Sequence, residues 1–454
     1  MANPPIPADD SSIVAERPRL ESLVQQILDE ARTQGASAAE VGVSAERGLS
    51  LSVRMGEVET VEFTRSGGFG ITVYAGRRKG HASTSDTRPQ AIREAVAAAL
   101  DIARHTSEDP CAGLADPAQL ARDLPDLDLH HAWPLTPDAA IALALECEDA
   151  GRAVDARIVN SEGAGVNTHE VYRVYANSNG FFAGYPSTRH SLSCALIARE
   201  GEDMQRDYWY DAARDAAVLA PAAQIGRLAG ERAVRRLGAQ AIATGKMPVL
   251  FVPELAPSLI GHFLSAIAGG ALYRRSSFLL DRLGQQVFPD WLQIEERPRL
   301  RGELGSASFD SDGLPTCDKH FVRDGVLASY ALGLYSARRL GMTPTANGGG
   351  THNVFVGGTG ESFAALLEKM GSGIVVTELM GNGVNPVTGD YSRGAAGFRV
   401  EEGRIVHPVS GITIAGSLPE MYRHIVAVGN DADRRGHVHC GSVLLEAMTV
   451  AAEG

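Results

Sequence analysis

Cysteine is scarce. The chain of 454 residues has five, at 111, 147, 194, 317 and 440, an odd number with no C-x-x-C pair. This excludes a disulfide-stapled scaffold and points to reduced thiols, as in a cytoplasmic protein. Basic charge is in the minority, 42 Lys and Arg against 55 Asp and Glu, for a net charge of −13. A sequence-independent nucleic-acid binder needs a basic footprint, so no nucleic-acid partner is expected. Arg232, Arg235 and Arg236 form a local basic group, which reads as the solvated face of a helix. Long apolar runs are missing too. The most apolar of the long uncharged stretches, Leu255 to Tyr273, contains Pro257, His262, two serines and three glycines. It reads as a buried core helix, and no membrane partner is expected. The opening residues, MANPPIPADDSS, show neither a basic n-region nor an apolar h-region, so no secretion signal is expected. G-x-x-x-x-G-K-[ST] and G-x-S-x-G are both absent, which leaves phosphate-cradle and serine-hydrolase readings without an anchor.

Glycine, by contrast, is abundant at 50 residues. Many turns and a strand-rich α+β architecture follow from it. Residues 1–17, rich in Pro, Asp and Ser, read as a disordered tail. An N-terminal α+β domain is expected over 18–105. In it Leu20, Leu23, Val24, Ile27, Leu28 and Ala31 form a helical stripe closed by Gly35. Short strands follow, with a turn expected at Gly67-Gly68, and a second helix spans Pro89 to His105. Four prolines and many aspartates mark a linker over 106–135. A central α+β domain is expected over 136–242, opening on Thr136 as N-cap with Pro137 at the first helical position. Asn177-Ser178-Asn179-Gly180 signals a hairpin within it. In both regions helices are expected to cover antiparallel sheets. Residues 243–454 read as a glycine-rich, β-dominated C-terminal domain.

The most informative stretch is Lys246 to Arg275. Val249 to Val252 is an unbroken apolar run, consistent with a fully buried strand. Glu254 to about Ile267 then reads as a helix. Leu259, Phe263 and Ile267 recur every fourth residue, with Ile260 and Leu264 beside them. The remaining side is small or polar: Ser258, Gly261, His262, Ser265 and Gly269. Such a face admits a second backbone or a ligand. His262 is the one side chain there with acid–base or metal chemistry.

Other candidates each face a plainer reading. His169-Glu170 lacks the second histidine of a zinc-protease helix and sits in a strand pattern. Asp310-Ser311-Asp312-Gly313 lacks the spacing of a calcium loop and reads as a solvated turn. Gly381-Asn382-Gly383 lacks a third glycine and a helix, so it is no dinucleotide loop. With Glu378 and Asn385 it could still hold an extended peptide by backbone pairing, as could Gly269 and Gly270. His437-Val438-His439-Cys440 is the most metal-like run. A strand turns Cys440 away from the two histidines, so one ion cannot take all three without a bend. Cys317 and His320 form a second, thinner pair.

Over nearly its whole length the chain resembles the TldD/PmbA family, and within it the PmbA (TldE) branch. The resemblance is carried by VETVEFTRSGGFGITVYAGRRKGHASTSD (58 to 86), ARHTSEDP (103 to 110), GHFLSAIAGGALYRRSSFLLDRLG (261 to 284), DWLQIEE (290 to 296), ELMGNGVNPVTGDYSRGAAGFRVEEGRI (378 to 405) and the end from Cys440 onward. The resemblance implies three regions and a cytosolic TldD/TldE metalloprotease that cuts unfolded or extended peptides. Family roles include maturing a peptide antibiotic, degrading an antitoxin and modulating DNA gyrase. The TldD partner carries an H-E-x-x-x-H zinc helix and a later cysteine. Laid on this chain, the second histidine matches His262, the first falls at Pro257, the glutamate at Ser258 and the cysteine at Cys440. Proline cannot ligate zinc, and serine is a poor base for a zinc-bound water.

The resemblance therefore implies a subunit with no catalytic residue and no metal of its own, its zinc expected in a TldD-type partner. The glycine-rich C-terminal loops are expected in the pairing surface, and the chain alone is expected to homodimerise by the same surface. Two other classes stay open. One is a non-enzymatic interaction protein, such as a gyrase regulator. The other is an independent metallohydrolase built on His262, Cys440 and a group from Cys317-His320 or His437-His439.

Overall fold

The computed structural model describes residues 12–452. Residues 1–11 of the expected tail lie outside the described residues. From Ile13 the chain is helical, a 3-10 turn at Ile13–Glu16 leading into α1 (Arg17–Thr33). The expected stripe, Leu20, Leu23, Val24, Ile27 and Ala31, is the face that α1 buries. Then come β1 (Ala38–Arg54), β2 (Glu57–Ala75), β3 (Arg78–Thr84) and α2 (Pro89–His105). An irregular stretch leads to α3 (Pro137–Arg152), where the Thr136 hydroxyl accepts from the Ala139 N–H at 3.3 Å as an N-cap. β4 (Ile158–Asn177), β5 (Phe182–Glu200), β6 (Asp203–Ala213) and α4 (Ala222–Arg235) complete this half. The β4–β5 turn falls where Asn177 to Gly180 places it, with Gly180 at φ +94°.

The strands form one antiparallel sheet in the order β3-β2-β1-β4-β5-β6. Alternate residues of β1 explain how it is covered. Val41, Val43 and Ala45 pack with α1 and α2, and Leu49, Leu51 and Val53 pack with α3 and α4. All six point to one face, so the four helices share that face and leave the other to the C-terminal half.

The turn expected at Gly67-Gly68 does not exist, because β2 runs straight through it. A Cβ at Gly67 would meet the Ser44 carbonyl oxygen at 2.7 Å, and one at Gly68 the Thr84 carbonyl oxygen at 2.6 Å. These glycines serve close backbone approach, not a reversal.

The C-terminal half contains β7 (Gly245–Phe251), α5 (Ala256–Ala266), α6 (Gly269–Tyr273), β8 (Ile294–Glu296), β9 (Lys319–Arg323) and β10 (Val326–Leu327). It continues with α7 (Leu334–Leu340), β11 (Val354–Val356), α8 (Phe363–Met370), β12 (Gly373–Met380), β13 (Asp390–Glu401) and β14 (Arg404–Ser417). It ends with α9 (Leu418–Arg423), β15 (Ile425–Val428), β16 (Val438–His439) and β17 (Val443–Ala452). Strands β14-β13-β12-β7-β17 close into a barrel because β14 also pairs with β17, and β15 adds to β17. A smaller sheet has the order β10-β9-β8-β11-β16. The whole is an α+β fold, with strands dominant in this half.

β7 shows why its apolar run is unbroken. Val249 and Phe251 pack on α5, while Leu250 on the opposite face packs with Leu366 and Met370 of α8. A strand covered on both faces has no solvent side to keep polar.

Arginines tie the halves together. Arg214 donates to the Glu303 and Leu304 carbonyls at 2.9 and 2.8 Å, and Arg338 to those of Gly113 and Leu114 at 2.9 and 2.8 Å. Arg435 lies against Trp209 and Tyr210, 4.2 and 4.3 Å from the ring centroids, and donates to the Tyr210 carbonyl at 2.8 Å.

Candidate functional site

Helix α5 is amphipathic in an unusual sense: its outer face is small. Leu259, Ile260, Phe263 and Leu264 are buried, and the Tyr422 hydroxyl donates to the Leu259 carbonyl at 2.9 Å beneath the helix. On the other side Pro257, Ser258, Gly261 and Ser265 leave room. They form one wall of a cleft of about 850 Å³. Tyr210 and Glu254 extend that wall, and Asp433, His437 and Val438 stand at one side. Across from α5 lie Gly333, Tyr335 and the loop Asn347-Gly348-Gly349-Gly350-Thr351. A cavity of that size suits a stretch of peptide or a comparable small ligand.

The glycine loop is the partition of the site. Its far side faces a second groove of about 770 Å³, roofed by the free face of the N-terminal sheet at Gly42, Ser44, Gly68 and Gly70. The loop is held from below by buried acids. Asp310 accepts from the N–H groups of Asp312, Leu314 and Gly348 at 2.9, 2.9 and 2.8 Å. Burial, and then the nearby Asp312, push the Asp310 carboxyl up to about 6. The turn expected to be solvated is therefore an interior brace, with Asp310 only 3% exposed. Gly348 is required here, since a Cβ would meet Asp312 Oδ2 at 2.4 Å.

Glu296 is the second brace and is fully buried. It accepts from Asn347 Nδ2 at 2.9 Å, the His352 N–H at 2.7 Å and Lys319 Nζ at 2.6 Å, and His352 Nδ1 lies 3.2 Å away. Burial alone would raise its pKa. The His352 hydrogen bond and the Lys319 charge outweigh burial and hold it at about 2. His437, on the cleft side, is pushed toward its neutral form by burial and then by His352.

The residues singled out in the sequence scatter. Pro257, Ser258, Gly269 and Gly270 line the cleft. His262 does not. One residue round the helix from Gly261, its ring packs edge-on against Tyr391 at 6.0 Å. Its Nε2 is buried without a hydrogen-bond partner, and burial, then Arg393, lower its pKa. Cys440 is fully buried in the barrel core, and burial drives its thiol pKa far up, away from the thiolate that binds metal. Gly269 serves packing as well, because a Cβ there would meet Ser336 Oγ at 2.1 Å. Glu378 is ion-paired with Arg236 of the central region. Gly381, Asn382, Gly383 and Asn385 lie on the exposed β12–β13 connection, away from the cleft. Asn385 Oδ1 accepts from the Val387 N–H at 2.9 Å and so caps its own turn.

Zinc does not suit this donor set. The positions matching the zinc helix offer a proline and a serine, a histidine facing a tyrosine, and a thiol locked in the core. Among the described residues no three His, Cys, Asp or Glu side chains converge as metal ligands. Sequence reasoning missed Tyr210, Glu254, Asp312, Asp433 and the Asn347–Thr351 loop as cleft residues. For that loop the one available signal was the glycine triplet flanked by Asn and Thr.

Three domain models of the PmbA/TldA metallopeptidase family match in order: domain 1 over residues 39–103, the central domain over 130–237 and the C-terminal domain over 244–452. The chain is 51% identical to Metalloprotease PmbA of Escherichia coli O157:H7 over 443 residues, 98% of each chain. The chain belongs to the PmbA/TldD family. It stands on the PmbA (TldE) branch, with 46% identity to the Metalloprotease PmbA homolog of Haemophilus influenzae over 98% of this chain and 99% of that one. Similarity to the TldD homolog of Haemophilus influenzae is lower, 23% over 66% of each chain. A Bacteroides thetaiotaomicron protein named as a candidate modulator of DNA gyrase shares the PmbA-branch fold at TM-score 0.90 and 29% identity, covering 95% of this chain and 98% of that one. TldE from Thermococcus kodakarensis shares the fold at TM-score 0.83 and 19% identity, covering 95% and 100%.

Proposed function

We propose that this PmbA-branch chain is the non-catalytic subunit of a TldD/TldE-type zinc metalloprotease that cleaves unfolded or extended peptides in the cytoplasm. The observation that carries this reading is the wall of the cleft. Pro257 and Ser258 face the cavity at the positions where the zinc helix of a TldD subunit has a histidine and a glutamate, while the cavity keeps the size of a peptide site. The chain shapes and narrows the chamber, and zinc chemistry belongs to the TldD-type partner. The exposed β12–β13 connection, with Gly381, Asn382, Gly383 and Asn385, and the neighbouring Glu378 are assigned to the pairing surface.

The test is a peptidase assay on an unstructured peptide with this chain, a TldD-type subunit and their mixture. Cleavage is expected in the mixture, unchanged by His262→Ala and reduced about tenfold or more by Ser258→Trp, which fills the cleft from an exposed position. Stoichiometric zinc in the isolated chain would sink the reading. A mixture inactive on every unstructured peptide would favour a protein-interaction regulator instead.

A further inference from the structure

The free face of the N-terminal sheet carries three arginines beside the glycine loop. Arg173 of β4 stands opposite Tyr185 of β5, and His169 opposite Arg189. Leu192, Cys194 and Leu196 of β5 pack with α3 and α4, so the odd-numbered Tyr185 and Arg189 face the other way, toward the C-terminal half. Arg173 and Tyr185 line the groove of about 770 Å³ beyond the loop. Arg189 lies close enough to His437 and Tyr210 of the cleft for its charge to act on both. Arg214, directly after β6, stands between the two. Burial, and then the charges of Arg189 and Arg173, push its pKa down against the pull of Tyr185.

These cations lack counter-charges, whereas the acids nearby are already matched. Arg173 and Arg189 are exposed and, among the described residues, neither is ion-paired. The three side-chain nitrogens of Arg214 donate to the carbonyls of Glu303, Thr188 and Leu304 at 2.9, 3.1 and 2.8 Å, so it supplies a fixed charge and the other two supply free donors. The Glu303 carboxylate is turned to His439 at 3.6 Å, and Glu46 lies 3.5 Å from His169. In the cleft Glu254 pairs with Arg232 at 3.3 Å and Asp433 with Arg435 at 2.8 Å. Asp312 accepts from the Leu334 N–H at 2.7 Å and feels the charges of Arg338 and Lys79. Asp310, which lines the groove, is committed to backbone N–H groups. The uncompensated charge around the site is therefore cationic, in a chain whose net charge is −13.

We propose that Arg173, Arg189 and Arg214 form a carboxylate-recognising row, so that the peptides accepted best carry Asp, Glu or their own C-terminal carboxylate where they pass the glycine loop. This rests on the peptide-cleft reading above. The path is open, because cleft and groove share residues 348–351 and Gly349 and Gly350 put no side chain in the way. Guanidinium groups suit the ligand, since their planar donors match a carboxylate.

The test compares kcat/KM, in the mixture with a TldD-type subunit, for unstructured peptides that differ only by Glu or Lys at successive positions, each as free acid and as C-terminal amide. Glu at one position, or the free acid, should be favoured about fivefold or more, mainly through KM, and added salt should erode the preference. Loss of the preference on amidation assigns the row to the C-terminal carboxylate, and indifference to amidation assigns it to side chains. Arg173→Glu and Arg189→Glu should reverse the preference. Arg32→Glu on α1, on the opposite face of the sheet and 80% exposed at its side chain, changes net charge equally and should not. Arg173 and Arg189 are exposed, so their variants should melt with the parent. Equal rates for Glu, Lys, acid and amide peptides, or a preference that survives both reversals, overturn the proposal and leave the cleft reading standing. Competition by single-stranded DNA but not by an acidic peptide would assign the row to nucleic acid and overturn it as well. Absence of cleavage of every peptide would instead sink the cleft reading, and this proposal with it.

Discussion

At the scale of single residues, two buried carboxylates under the glycine loop titrate in opposite senses. Asp310 sits at about 6, above its unfolded value near 3.9. Between those values the folded chain holds a proton that the unfolded chain releases, so stability falls as pH rises through that window. Asp310→Asn, which keeps an oxygen to accept from the Asp312 and Leu314 N–H groups but loses the acceptor for Gly348, should flatten the slope by roughly 2 to 3 kcal/mol across pH 4 to 6.5 in urea titrations. Glu296, held at about 2, works the other way. Its contribution is present above about pH 4.5 and is lost as pH falls toward 2. Glu296→Gln leaves the half-buried Lys319 without its counter-charge and should cost about 3 kcal/mol at neutral pH. The sequence singled out Asp310 only as part of a solvated turn and gave Glu296 no role. Burial at both sites is created by segments far away in the chain.

At the scale of elements, local signals were readable where the deciding contacts are local. Thr136 and Pro137 start α3, Pro89 and His105 bound α2, and Gly180 turns the β4–β5 hairpin, all from neighbouring residues. Gly67 and Gly68 misled because the same residue type serves turns and close approach, and only the partner strand distinguishes them. The α3–α4 packing is a further case of close approach. A Cβ on Gly226 would meet the Cys147 carbonyl oxygen at 1.8 Å, and one on Gly230 that of Gly151 at 2.5 Å. Gly226→Ala should therefore cost about 1 to 3 kcal/mol by forcing the helices apart, although alanine is the better helix former. Thermal unfolding followed by circular dichroism checks the sign, which helix propensity alone would reverse.

At the scale of the whole molecule, the cleft is assembled from both halves. Tyr210 comes from β6, and the glycine loop, Asp433 and α5 come from the C-terminal half. The halves meet through arginines that donate to carbonyls of the opposite half. Arg338→Met keeps the apolar stem but removes its donors to Cys111, Gly113 and Leu114. It should open the 106–135 stretch to limited proteolysis at least several-fold faster, with the α5 region still protected.

The sequence by itself determined the α+β class, the longer helices, the Thr136 cap, the buried strand β7 and the small face of α5. Each rests on periodicity or on a cap within a few residues. Kinship with the PmbA branch was also legible, because it is spread over long matching segments. Tertiary structure alone decided which way His262 turns. Positions 261 and 262 differ by about 100° around a helix, and packing chose the cleft for glycine and Tyr391 for histidine. It also decided that Asp310 is interior, and that the outer edge of β2 from Glu57 to Ser66 has no strand partner among the described residues. Those outcomes depend on contacts between distant segments, which spacing along one chain does not encode.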